Sequence, residues 1–270
     1  MTDMVKSNGH ASVAAPRVQP ITFADVKASF SEGLSDFFHA PMIGLFFGAI
    51  YALGGLAIVT VVFAMEMGYL AYPLAAGSVL IGPFVRDAPV SAATMVSREL
   101  EAGRTPTFST VLKTVFAQRS REMSWMAFVT IFAFTIWMYQ VRLLLALFLG
   151  FANFASLNEF AHVLFTTTDG LAFLAVGHVV GAALALGLFS ITVISFPLLM
   201  DREVDVVTAM ITSVQTVMTS PGPMIAYGIA VVALLVLGAL PFFLGLLIVL
   251  PVLGHATWHL YRRAVAPAAS

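Results

Sequence analysis

Between Ile21 and Phe38 the apolar side chains recur at Phe23, Val26, Phe30, Leu34 and Phe37–Phe38, with Asp25, Lys27, Ser29, Glu32 and Asp36 elsewhere on the wheel. That is helical spacing. Thr22 and Asp25 stand where the two partners of a capping box stand, with Asp in place of Glu. The pattern predicts an amphipathic helix over 21–38, lying on a membrane surface.

Beyond it the polar positions thin out. Apolar runs cover 42–64 and 68–84, separated by a short turn carrying Glu66, then 123–141 and 170–200. The last run, 224–261, is too long for one crossing of about 20 residues. Gly238 and Pro241 near its middle divide it into 224–238 and 241–261. The stretch 143–165 is apolar but broken by Asn153, Asn158, Glu159 and His162, so it either lengthens the third span or forms an interfacial piece. Residues 201–218 are again amphipathic, with Asp201 in an N-cap position. Residues 1–20 and 264–270 read as tails. The predicted fold class is all-α: a polytopic transmembrane helical bundle of six spans with amphipathic surface helices. The alternative has five spans and one long, kinked final helix.

Composition supports the membrane reading. Apolar residues make up 60% of the chain, charged residues 10%, and the mean hydropathy is +0.95. Soluble domains carry roughly 25% charged residues. The net charge of −1 gives no global field for nucleic acid, and the bilayer is the partner expected first. There is no cysteine, which excludes disulfides, thiolate metal sites and cysteine nucleophiles.

Charge placement sets the topology. Short loops rich in Lys and Arg stay in the cytoplasm. Six spans put the N-terminal segment, 86–122, 201–223 and the C-terminus on one side, together with twelve of the thirteen Lys and Arg residues. The opposite loops carry Glu66, Glu159, Asp169 and one base, Arg142. Both termini are therefore expected on the cytoplasmic side of an inner membrane.

The inner ends of three spans share a pattern: Pro83 to Asp87, Pro197 to Asp201 and Pro251 to His255. Three similar hairpins repeated in parallel would suit a small-solute transporter or channel with its site between them.

Candidate chemistry gathers on the inner side, at Asp87, Asp201, His255, Trp258 and His259. His255 and His259 are one helical turn apart and can point the same way, as zinc-binding pairs do. Ala256, however, stands where the general base of such a helix would be. Trp258, Tyr261, Arg262 and Arg263 also suit an interfacial belt with snorkelling arginines. Within the spans, His178 and Arg142 are the polar positions to explain. His178 is expected to bond a neighbouring helix, and Arg142 to reach the outer interface or pair with an acid there. No catalytic residue, metal site or cofactor is expected.

Phe196 to Asp205, Ala209 and Ser213, then Pro241 to Gly245 and Pro251 to Arg262, resemble the DUF2189 family of bacterial integral membrane proteins. Gly82-Pro83 and Arg98 to Arg104 fit the same pattern. The resemblance extends over roughly residues 30–265 and implies a bacterial inner-membrane protein. Some members carry the label of a cytochrome c oxidase subunit. A haem–copper core needs histidines at matched depths on several helices, and here His10 and His39 lie before the first span. What the resemblance then implies is an accessory or assembly role beside a respiratory complex; self-association is the other partnership expected.

Overall fold

The structure, a computed structural model, describes residues 16–64, 88–117, 121–150 and 157–267. The expected second span and Asp87 lie outside them. The described residues are helical: α1 (Phe23–His39), α2 (Pro41–Ala64), α3 (Ala88–Glu101), α4 (Phe108–Ala117), α5 (Arg121–Leu149), α6 (Leu157–Thr166), α7 (Thr168–Thr192), α8 (Ser195–Asp201), α9 (Val206–Thr219), α10 (Pro221–Ala239) and α11 (Leu246–Ala264). Among the described residues, four stretches are long and apolar enough to cross a membrane: Pro41–Val61, Phe128–Leu149, Thr168–Asp201 and Pro221–Ala239.

Several boundaries differ from the sequence pattern. The third span runs on to Leu149 as α5, and part of the ambiguous 143–165 stretch forms a separate helix, α6. The fourth is interrupted by a turn at Val193–Ile194, between α7 and α8. Pro197 lacks the N–H that would bond the Val193 carbonyl, and the Ile194 N–H donates to Ser213 Oγ at 3.1 Å. Asp201 is not an N-cap. It ends α8, and the helix that follows is capped by Asp205, whose carboxylate accepts from the Thr208 N–H at 2.9 Å. The capping box of α1 is present, with the Thr22 N–H donating to Asp25 Oδ2 at 2.8 Å.

Both presumed tails are partly held. Val18 and Val265 form an isolated antiparallel bridge, flanked by Gln19 N–H to Ala264 O and Ala266 N–H to Arg17 O. These are backbone bonds, which side-chain patterns do not announce.

α1 is amphipathic, but it is rolled relative to its largest apolar side chains. Val26, Ser29, Gly33 and Phe37 are buried, while Phe23, Leu34 and Phe38 are exposed. The reason is close packing. α1 and α2 run antiparallel along α11, and a methyl placed on Gly33 would lie 2.6 Å from the Ala256 nitrogen. Farther along, Pro251 has no N–H for the Leu247 carbonyl. That oxygen instead lies against Gly48, where an added methyl would sit 2.5 Å from it.

Below this seam, the ends of α7, α10 and α11 join α1, α8 and α9 in an aromatic-rich core around Tyr227, Trp258 and Tyr261. α5 and α7 instead turn Phe128, Phe132, Leu147 and Val179 outward, as lipid-facing helices do.

Candidate functional site

α11 changes character at His255. Before it, Leu246 to Gly254 is apolar. After it come His255, His259, Arg262 and Arg263. On α1, Asp25, Ser29, Glu32 and Asp36 follow at spacings of three and four, one face of a helix. The two stripes meet antiparallel. Arg263 pairs with Glu32 at 2.6 Å and lies 3.8 Å from Asp25. His259 Nε2 is 2.8 Å from Asp36 Oδ2 and its Nδ1 is 3.2 Å from Glu32 Oε2. Both ring nitrogens thus face carboxylates.

α3 closes the group from a second direction. Ser97 Oγ lies 2.6 Å from Asp36 Oδ2 and 2.8 Å from His255 Nδ1. Serine has one proton to give. It goes to the Asp36 carboxylate, which leaves the Ser97 oxygen as an acceptor facing His255 Nδ1. One helical turn on, Glu101 Oε1 accepts from Trp258 Nε1 at 2.9 Å, and Arg262 lies over the Trp258 ring at 5.7 Å. From α8, Asp201 accepts from the Tyr261 hydroxyl at 2.7 Å. Asp201 also lies 3.7 Å from Arg202 and 3.9 Å from Arg262.

The surroundings set the titration of these groups. Burial, opposed by Asp36 and reinforced by His259, pushes His255 down to about 4. Burial also works against the Asp36 carboxylate, but the hydrogen bonds from His259 and Ser97 outweigh it and hold the group below its ordinary value. Burial and the bond to Asp201 raise the Tyr261 phenol.

Acid should therefore loosen this end of the molecule. In the unfolded chain, His255 takes a proton near its ordinary 6.5, whereas the folded chain resists until about 4. Stability is full above 6.5 and falls as the pH drops toward 4. Asp36 acts with the same sign but only below the ordinary carboxylate value of 3.8. Thermal unfolding in mild detergent should show a melting temperature that falls between pH 6.5 and 4. His255→Asn should flatten that window and leave the lower one.

Of the residues singled out from sequence, the structure brings Asp201, His255, Trp258 and His259 into one region. Trp258 and Tyr261 are inside the protein, 1% and 0% exposed, rather than in a lipid-facing belt. His178 is exposed, with Nδ1 2.7 Å from the Leu174 carbonyl of its own helix. Arg142 is exposed on α5. Neither joins the cluster. The Pro-x-x-x-polar pattern ends a helix at Asp201 but continues for nine residues past His255, so those two copies are not equivalent in space.

Sequence reasoning missed Glu32, Asp36, Ser97 and Glu101. The available signal was the match of an acidic stripe on α1 to a basic stripe on α11. Among the described residues no group of three or more His, Asp or Glu is placed to hold a metal ion. A cavity beside His255, walled by Ile43, Phe47, Val96 and Pro251, measures about 10 Å³, the room of a single water.

Residues 71–201 match the model of the family described as predicted integral membrane protein, DUF2189. That stretch is similar to the DUF2189 family. It contributes Ser97, Glu101 and Asp201 to the cluster, while Asp36, His255 and His259 come from outside the matched residues. The matched stretch thus supplies the wall against which the two ends of the chain are held. Comparison with curated proteins and with solved structures gives no match.

Proposed function

We propose that this integral membrane protein is a non-catalytic accessory or assembly component of a larger membrane complex. We place it in an inner-type membrane with both termini on the cytoplasmic side. The observation that supports this reading is the use made of the charged side chains of α11. His255, His259, Arg262 and Arg263 are each engaged by α1, α3 or α8 of the same chain, so the cluster works as a clamp between helices. Its rim is a mixed-charge face, with Glu32 45% and Arg262 40% exposed, of the kind that orients a partner at a membrane surface. An oxidase-type respiratory complex is the partner to which the family resemblance points.

The test is purification of the tagged full chain from its native membranes in mild detergent, with native gel electrophoresis, mass spectrometry and a visible spectrum. The expected result is co-migration with oxidase subunits in fixed ratio, weakened by Arg262→Glu. A clean homo-oligomer without oxidase subunits would overturn the reading and favour a transporter. A Soret band from the isolated chain would overturn the non-catalytic assignment.

A further inference from the structure

The turn between α10 and α11, Leu240 to Gly245, contains no polar side chain, and Leu240, Phe242 and Leu244 are 72%, 79% and 61% exposed. Two of its residues, Phe242 and Phe243, have φ of 50° and 65°. Bulky side chains rarely adopt this left-handed region, and a water-facing turn would take Gly or Asn there. Much of the backbone is nevertheless bonded within the turn. Phe243 N–H bonds Ala239 O, Leu244 N–H bonds Pro241 O, Leu246 N–H bonds Phe243 O, and Leu247 N–H bonds Leu244 O. A turn that bonds much of its own backbone and presents only hydrocarbon side chains suits lipid better than water.

Depth is read from the neighbours. Phe243 packs against Gly55 of α2, where an added methyl would lie 2.9 Å from its ring. Gly55 is only about two thirds of the way along the Pro41–Val61 crossing, or about 21 Å at 1.5 Å per residue. α2 continues past it to Ala64. On α11 the apolar arm ends at Gly254, before the buried His255, so it is about 14 Å long. On α10, Tyr227 is already in the aromatic core, its hydroxyl 2.8 Å from Thr257 Oγ1, which leaves an arm of about 18 Å. A hydrocarbon core is about 30 Å thick; α10 is long enough to cross it over its full length, but the part beyond Tyr227 and the α11 arm paired with it are not.

We propose that α10 and α11 form a re-entrant hairpin in place of two complete crossings. It enters and leaves through the face that carries the His259 cluster, and its tip contacts acyl chains inside the bilayer. Gly238 and Gly245 make the tip narrow enough to insert: a methyl on Gly245 would lie 2.7 Å from the Gly238 α-carbon. The hairpin leaves the two ends of the chain on one side, as six full spans would. Terminal reporters therefore do not separate the two arrangements, and the tip must be probed directly.

The chain has no cysteine, so Phe242→Cys and Leu244→Cys each carry one thiol on an exposed side chain. Glu159→Cys and Arg104→Cys serve as controls for the two water-facing sides. Maleimide reacts with the thiolate, which hydrocarbon suppresses, so tip labelling by an impermeant reagent should run below about a tenth of the control rate from either side. A bimane on the same cysteines, in phosphatidylcholine–phosphatidylglycerol vesicles, should be quenched more by lipids brominated deep in the chain than by those brominated near the headgroup. Labelling from the Glu159 side with shallow quenching would overturn the proposal in favour of a full crossing. Labelling from the Arg104 side, or no quenching at either depth, would overturn it by placing the tip outside the lipid.

Discussion

Asp36→Ala is expected to destabilise the folded protein by about 3 kcal/mol, the low end of the cost of breaking a buried hydrogen-bonded pair that contains a charge. The carboxylate is 15% exposed and the His259 side chain it faces is 11% exposed, so water does not readily replace what is lost. Ser97 loses the acceptor for its proton, and His255 then faces a hydroxyl that no longer has to accept from it. Glu32, 3.2 Å from His259 Nδ1, remains to hold that ring, which is why the low end applies. Denaturant unfolding in mild detergent measures the effect. A cycle of Asp36→Asn and His259→Gln, alone and together, should give a coupling of about 1 kcal/mol or more. Strictly additive losses would mean that the two side chains do not act on each other.

Gly33→Ala and Gly48→Ala should each cost about 1–3 kcal/mol, the penalty of overpacking a site that cannot give way. The sign is informative. Replacing an interior helical glycine by alanine ordinarily stabilises by about 0.5–1 kcal/mol. At both positions the added methyl meets main-chain atoms of α11, 2.6 Å from a nitrogen at Gly33 and 2.5 Å from an oxygen at Gly48. Gly54 lies in the same helix as Gly48 and has nothing within 4 Å, so Gly54→Ala should be neutral or stabilising in the same assay. If all three behave alike, α1 and α2 do not lie along α11 as described.

Much of the helical layout was legible in the sequence because it rests on local rules. Apolar run length gave the long helices, and the Thr22–Asp25 pair gave the start of α1. The arrangement of the cluster rests on distant pairings. Asp36 and His259 are separated by 223 positions, and along α1 alone Asp36 reads as a solvated charge. Its role emerges only when the acidic stripe of α1 is laid antiparallel on the basic stripe of α11. Ser29 misled for a related reason: it counts with the polar side of an amphipathic helix, whereas it is fully buried, and Gly33 one turn on admits α11 at close range. Trp258 and Tyr261 fit an interfacial belt by composition. Whether such rings face lipid or core depends on what lies above them, here Glu101 and Asp201 from other helices.

The central claim is that the first and last helices are held together as one body on one side of the membrane. Val18 and Val265 test it most directly. They oppose each other between the flanking bonds Gln19 N–H to Ala264 O and Ala266 N–H to Arg17 O. That makes them a non-hydrogen-bonded antiparallel pair, whose α-carbons are about 4.5 Å apart, within disulfide reach. In this cysteine-free chain, Val18→Cys with Val265→Cys should cross-link within the monomer under mild oxidation, giving a reductant-sensitive gel shift in intact membranes. Asp36→Ala should slow it. No intramolecular cross-link from the folded double variant, or one as fast from a control pair of Val18→Cys with Glu159→Cys, would contradict the account.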